Sequence, residues 1–401
     1  MCVRRREPSS LAPLVDQHPS SPHILVLTAS MGEGHTGAAL ELSRRLGASG
    51  FGTTVRDFLD SGRFRSGHTL KWAYRIQLRY LPDSYETTYQ MWFKAPWLCG
   101  PLARFVAMLT AGTLSRWISE TRPAAVVSTY PLATLALGEL RRTGRLNSPV
   151  INYITDFGVH PLWVHRCADL HLAVHPSSAE LARVTSGGRT LVSGPAVSDA
   201  FDARRLPERQ LARAQLGISD SDSAVLVSAG SWGVGSVEHT VREIALHGDL
   251  LPVVACGRDE RLRARLDTAV RRGALRALVV GWTDDMPALM AACDALVENA
   301  GGLTAFEAMR AGLPVVTYKP IPGHGRQNAA AMSAAGVART ASDPSDLRAV
   351  LDEVVRRGRI RNSQVAAGAG LFCSDPADAI RGMVSPPTSP LASVQPMEQP
   401  A

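Results

Sequence analysis

Three features of the 401-residue chain predict two doubly wound parallel α/β domains facing a shared cleft. Short apolar runs alternate with helical patterns, first in one series and then in a second. Three of those runs end in a glycine-bearing loop that opens a helix: Gly32-Glu33-Gly34, residues 230–235, and Gly301-Gly302. Between the two series, Gly194-Pro195 interrupts the pattern.

The first series places strands over 24–29, 54–57, 125–128, 150–154 and 170–174. Its helices fall over 36–46, 132–142 and 178–184, with an irregular helical stretch over 67–120. The second series places strands over 224–228, 252–255, 277–280, 295–297 and 315–318. Its helices fall over 237–246, 259–272, 287–292, 304–311 and 327–335. The domains are therefore expected over 23–195 and 196–384, with a hinge around 194–216. The tails 1–22 and 385–401, rich in Pro and Ser, are expected to be disordered.

Composition narrows the class. The net charge of +7 suits an anionic partner, either a phosphate ligand or an anionic membrane face. Cys2, Cys99, Cys167, Cys256, Cys293 and Cys373 form no CxxC pair, which predicts free thiols in a reducing compartment and no zinc site. Residues 1–22 lack the apolar core of a signal peptide, and the apolar patch near 106–114 is too short to span a bilayer.

Residues 297–328 carry the strongest chemical signal. A strand turns through Asn299-Ala300-Gly301-Gly302 into a helix at Thr304, with Leu303 facing inward. Two glycines at a helix start let an anion approach backbone N–H groups, and the helix dipole favours it there. One turn in, Glu307 can accept hydrogen bonds from a vicinal diol such as a ribose. Gly230, Ser231 and Gly233 form a second Gly-rich loop able to hold the far side of a diphosphate.

His35 follows Gly32-Glu33-Gly34 at another helix start, where the dipole disfavours imidazolium. A neutral ring there is a general base or a helix cap, and the residues alone do not separate these. Residues 62–117 interleave Lys71, Arg75, Arg79, Lys94 and Arg104 with Trp72, Tyr80, Trp97 and other aromatics. That composition fits a membrane face, a surface that stacks single-stranded nucleic acid, or a core helix pair with a basic outer side.

In order and content these motifs resemble glycosyltransferase family 28, which holds the monogalactosyldiacylglycerol synthases and the processive diacylglycerol glucosyltransferases. The resemblance covers about residues 23–340. It rests on 279–290 (VVGWTDDMPALM) with Gly301-Gly302, Glu307 and Gln327-Asn328, on TASMGEGHTGAA over 28–39, and on 154–165 (ITDFGVHPLWVH). It implies the fold called GT-B. It also implies donor contacts at Trp282, Thr283 and Met286 around uracil, at Glu307 on the ribose, and at Gln327 and Asn328 on the sugar. His35 becomes the base for an acceptor hydroxyl, and Gly34, Asp156, His160 and Trp163 become acceptor-site residues, although a polar cluster that only stabilises a turn would look the same. Residues 62–117 become a membrane face, with no nucleic acid expected.

Two departures qualify the match. Gly194-Pro195-Ala196-Val197-Ser198 lacks the Arg that relatives often aim at the diphosphate. Pro322-Gly323-His324-Gly325 stands where relatives often carry Pro-Gly-Gln-Glu, which leaves the sugar undetermined. Asp220-Ser221-Asp222 reads as a turn, and no metal or other cofactor is expected, the UDP-sugar being a substrate. The expectation is an inverting, metal-independent hexosyltransferase acting from a UDP-sugar on a diacylglycerol-like lipid, on the cytoplasmic face of the membrane. A UDP-sugar 2-epimerase and a non-catalytic lipid- or nucleotide-sugar-binding protein are the alternatives.

Overall fold

The computed structural model describes residues 21–62, 66–228 and 230–384; the expected disorder of residues 1–20 and 385–401 lies outside these. The first domain runs β1 (His23–Thr28), α1 (Glu33–Ala48), β2 (Gly52–Asp57), α2 (Ser66–Tyr80), α3 (Pro82–Lys94), α4 (Cys99–Thr121), β3 (Ala125–Ser128), α5 (Pro131–Arg142), β4 (Val150–Tyr153), β5 (Leu170–Ala173), α6 (Pro176–Ser186) and β6 (Thr190–Val192). The second runs α7 (Arg209–Leu216), β7 (Ser223–Ser228), α8 (Val237–Ala245), β8 (Leu250–Ala255), α9 (Glu260–Arg271), β9 (Leu278–Val280), α10 (Met286–Ala292), β10 (Ala295–Glu298), α11 (Leu303–Arg310), β11 (Val315–Tyr318), α12 (His324–Ala334) and β12 (Arg339–Ala341). Three helices follow: α13 (Pro344–Val355), α14 (Arg359–Gly370) and α15 (Pro376–Val384).

Each domain has one six-stranded parallel sheet, ordered β2-β1-β3-β4-β5-β6 and β12-β11-β10-β7-β8-β9. Side chains on a strand alternate between faces, so a strand covered on both sides reads as a continuous apolar run. In β1, Ile24 and Val26 pack with Leu42 of α1, whereas Leu25 and Leu27 pack with Leu114 of α4 and Leu137 of α5. In β7, Leu226 faces the α10–α11 side and Val225 and Val227 face α8.

Strand order reverses between β1 and β3 in the first sheet and between β7 and β10 in the second. Ligands of such sheets bind outside the carboxyl ends at those points. The Gly32–Gly34, 230–235 and Gly301-Gly302 loops all leave from them, and the two loop sets meet: Arg258 pairs with Glu33 at 2.8 Å across the cleft. The protein has the GT-B fold: two Rossmann-like domains facing one cleft.

Three features differ from the sequence expectation. The irregular stretch resolves into α2, α3 and α4. The apolar segment near 106–114 belongs to a longer helical run, Pro96–Thr121, which by length and composition could cross a membrane. Here Ala103, Val106, Ala107, Ala111 and Leu114 of that run are buried in the first domain's core with residues of α5. And α15, placed by sequence with the second domain, returns to the first, where Ala377 and Ile380 join the cluster under α1 and Asp375 pairs with Arg45 at 3.1 Å.

Candidate active site

A cavity of about 680 Å³ lies between the domains, where the loops after β1, β4, β7, β9 and β10 converge with α2 and α3. Its size suits a sugar nucleotide.

His35 enters the cavity from the third position of α1. Its Nδ1 lies 2.8 Å from the Thr129 carbonyl oxygen and 3.2 Å from the Thr155 hydroxyl. A carbonyl only accepts, so Nδ1 carries the hydrogen and the neutral ring leaves its Nε2 lone pair free. Burial holds its pKa below the usual histidine value; Asp156 opposes this in part and His324 adds to it. No side chain caps α1, so the ring is not a cap. Gly32, at φ 110°, makes the turn that a side chain would strain. Gly34 lines the cavity beside His35.

The expected acceptor residues all border the cavity, but their polar atoms are largely committed. Trp163 is buried, and its Nε1–H donates to Asp156 Oδ2 at 2.9 Å. His160 is buried too. The Leu162 N–H donates to its Nδ1 (3.2 Å), and its Nε2–H donates to the Tyr89 carbonyl (3.0 Å). Burial lowers its pKa to about 4. It can therefore offer an acceptor only a ring face. Asp156 keeps a carboxylate at the cavity wall, fixed by Trp163.

On the donor side, Gly302, Leu303, Thr304 and Glu307 line the cavity and Gly301 does not. The Gly301 N–H, expected to meet a diphosphate, donates instead to Glu298 Oε2 at 2.5 Å. The Ala300 N–H meets the same oxygen at 2.7 Å, and the Thr317 hydroxyl meets Oε1 at 2.6 Å. Three donors thus hold a buried carboxylate at the end of β10, and that carboxylate fixes the loop. The anion-facing N–H groups are then those that begin α11, from Gly302 onward. Gly301 has φ 66°, and a Cβ there would sit 2.5 Å from Asn328 Cβ, so no other residue fits.

Glu307 lies one turn into α11, and burial raises its pKa to about 7. Trp282, Thr283 and Met286 border the same cavity, as do Gly230 and Ser231. Gly233 does not; a Cβ there would lie 2.7 Å from Asp259, so its role is close packing. Gln327 and Asn328 also stay outside. Asn328 is 1 % exposed, accepts from the Gly158 N–H (2.8 Å) and donates to the Ala300 carbonyl (3.1 Å). Gln327 accepts from the Tyr89 hydroxyl and donates to the Val159 carbonyl (3.1 Å). These two clamp the domains together; they do not reach into the cavity.

Arg258 and His324 have no role assigned from the sequence. Arg258, after β8, stacks on Trp282 with its guanidinium carbon 3.9 Å from the ring centroid, which brings a cation to the donor edge. Ser198 caps a short turn over Asp199–Phe201, its hydroxyl accepting from the Ala200 N–H. Cys256-Gly257-Arg258 after a strand was the available signal. His324 lines the cavity from the start of α12, and no spacing linked it to Tyr85, 239 residues away.

The basic residues of α2 also depart from expectation. Lys71 donates to Ser30 Oγ at 3.0 Å, Arg75 lies 5.1 Å over the Trp232 ring, and Arg79 pairs with Asp259 at 3.8 Å. These contacts lie on the side of α2 that borders the cleft. Arg63, Phe64 and Arg65 lie outside the described residues.

Residues 35–186 match the family model for monogalactosyldiacylglycerol (MGDG) synthase. The chain is 25 % identical over 368 residues to a processive diacylglycerol beta-glucosyltransferase of Bacillus cereus (strain ZK / E33L), covering 90 % of this chain and 92 % of that one. It is 26 % identical over 345 residues to the enzyme of the same name from B. cereus strain ATCC 14579, covering 84 % and 86 %. Among solved structures it resembles MurG of Acinetobacter baumannii (TM-score 0.55, 16 % identity, 90 % and 99 % covered). It also resembles UGT71G1 of Medicago truncatula, solved with UDP-glucose (TM-score 0.57, 13 % identity, 91 % and 98 % covered). The similarity to diacylglycerol glucosyltransferases thus runs along nine-tenths of the chain, and the similarity to the synthase family model covers residues 35–186, within the first domain.

Proposed function

We propose that this protein is an inverting glycosyltransferase that moves a hexose from a UDP-sugar to the hydroxyl of a diacylglycerol-like lipid. One observation carries the reading: the free Nε2 of His35 opens into the same cavity as the first turn of α11 and Glu307. The acceptor hydroxyl gives its proton to Nε2 as its oxygen bonds to the anomeric carbon. The bond from that carbon to the diphosphate breaks on the opposite face, and the electron pair leaves with UDP. Gly302, Leu303 and Thr304 present N–H groups to the leaving diphosphate. Glu307 takes the ribose diol, and Trp282 and Met286 border the base. The reaction in this reading uses no cofactor or metal, so turnover with excess EDTA is expected to equal turnover without it.

The lipid enters from the side of α2–α4. Phe105 and Met108 are 55 % and 68 % exposed, and Leu109 beside them completes an i, i+3, i+4 apolar face on α4; Trp97 is 73 % exposed nearby. An apolar face of this kind supports peripheral attachment to a membrane. The free thiols of Cys99, Cys167, Cys256, Cys293 and Cys373 support its cytoplasmic side.

Incubation of the purified protein with radiolabelled UDP-glucose or UDP-galactose and mixed lipids tests the activity. The expected result is label in a diacylglycerol glycolipid; released or epimerised sugar with no labelled lipid would overturn it. A second prediction follows from the exposed face. Phe105→Ser with Met108→Ser weakens sedimentation with lipid vesicles at least about tenfold, each buried side chain being worth about 1.5–3 kcal/mol. Replacing Lys71, Arg75 and Arg79 with Ser has a smaller effect, because those residues face the cleft.

A further inference from the structure

Most polar side chains on the first domain's wall of the cavity are already paired. Thr155 meets His35, Trp163 donates to Asp156, and His160 is bonded at both ring nitrogens. Tyr74 pairs with Tyr85, and Tyr89 donates to Gln327. Tyr130 differs. It lines the cavity and is only 7 % exposed, yet its hydroxyl has no hydrogen-bond partner among the described residues. The hydroxyl is not sealed in the core either, so it opens to the cavity. The ring is held in place. It packs on Phe58 with centroids 6.0 Å apart and meets the His35 ring edge-on at 5.3 Å. Its backbone is pinned at the start of α5: the Ser128 hydroxyl accepts from the Tyr130 N–H at 3.3 Å and donates to the Tyr130 carbonyl at 2.9 Å. A nearly buried hydroxyl aimed at a cavity needs a partner there, because leaving it unpaired forfeits the hydrogen bonds it made to water.

Resting on the glycosyltransfer reading above, we propose that the Tyr130 hydroxyl donates to the ester carbonyl next to the reacting hydroxyl of the lipid, so that the enzyme selects diacyl over dialkyl glycerols. In a diacylglycerol the carbon beside the one bearing the free hydroxyl carries an ester. Its carbonyl oxygen lies only a few bonds from the oxygen that gives its proton to His35, and the Tyr130 ring stands directly against that base. Burial raises the Tyr130 pKa above the ordinary phenol value, so the group stays protonated and able to donate. An ester carbonyl is a good acceptor, whereas an ether-linked lipid has no carbonyl to place there. Met31, Pro131 and Leu132 share this part of the wall and have no polar side-chain group to substitute for the phenol. A lone donor in an apolar wall discriminates strongly, because the wrong lipid leaves it unpaired.

Initial rates of wild type and Tyr130→Phe with dioleoylglycerol and with its dialkyl analogue test this, in the same detergent micelles and with saturating UDP-glucose or UDP-galactose. Tyr130→Phe removes one oxygen and keeps the ring between Phe58 and His35. Wild type is expected to prefer the diacyl lipid about 5- to 30-fold in kcat/KM, the worth of one buried hydrogen bond. In Tyr130→Phe that preference falls to about twofold or less, and the loss appears as a raised KM for dioleoylglycerol. UDP affinity by calorimetry and the acid limb of the pH profile stay as in wild type, which separates a lost lipid contact from a disturbed His35. A wild type with no ester preference, or a preference that survives Tyr130→Phe, overturns the proposal. So does a shift of the acid limb that accounts for the loss. A wild type that labels neither lipid with either sugar overturns the glycosyltransfer reading beneath it.

Discussion

Turnover of His35→Asn and His35→Ala under saturating UDP-sugar and lipid falls by about 10²–10⁴-fold, the usual cost of losing a general base. UDP affinity and melting temperature stay near wild type, because the proposed nucleotide contacts lie in the other domain. Asn keeps a donor for the Thr129 carbonyl but cannot take a proton, so it separates chemistry from support. A helix-capping role would let Asn restore full activity; near-normal turnover of His35→Asn sinks the base assignment. The pH profile gives an independent check. The base must be neutral to act, and burial lowers its pKa below the ordinary value of 6.5. The acid limb attributable to His35 therefore lies below pH 6.5, and activity is lost only as pH falls through that lowered value.

The second large effect concerns Glu307. Glu307→Ala removes two charge-assisted hydrogen bonds to the ribose and weakens donor binding by roughly 2–4 kcal/mol, about 30- to 700-fold. The raised pKa of about 7 adds a pH signature. If the ionised form binds the diol, affinity for UDP-glucose, whose phosphates are diesters, rises through pH 7. It is about tenfold tighter at pH 8 than at pH 6, following the ionised fraction. Glu307→Gln is weak at both pH values. Stability of the ligand-free protein moves the other way. Between about pH 4.5 and pH 7 the folded state binds the proton that the unfolded chain has released. The Glu307 contribution to stability is thus present at low pH and lost as pH rises through 7, and Glu307→Gln abolishes that slope in thermal melts. A donor affinity in Glu307→Ala equal to wild type would place the ribose elsewhere.

Local sequence determined the parallel sheets, the three glycine loops and the positions of His35, Glu307 and Trp282. The reason is that each depends on a run of neighbouring residues: an apolar strand covered on both faces, then a turn that only glycine can make, then a helix start. These are short-range constraints, and they survive being read one segment at a time. Tertiary structure alone decided which polar atoms remain free for a ligand. Gln327, Asn328, His160 and the Gly301 N–H all occupy plausible positions in the sequence. Their hydrogen-bond capacity is consumed by Tyr89, Gly158, Val159 and Glu298, three of them in the opposite domain from Gln327 and Asn328. The same holds for Lys71, Arg75 and Arg79, whose composition suits an anionic surface but whose helix turns them toward Ser30, Trp232 and Asp259. A buried donor or acceptor must find a partner, and the partner's position is fixed by how two domains close on each other. No window of the chain contains that information, which is why the pairing of Tyr85 with His324 is visible only in the folded protein.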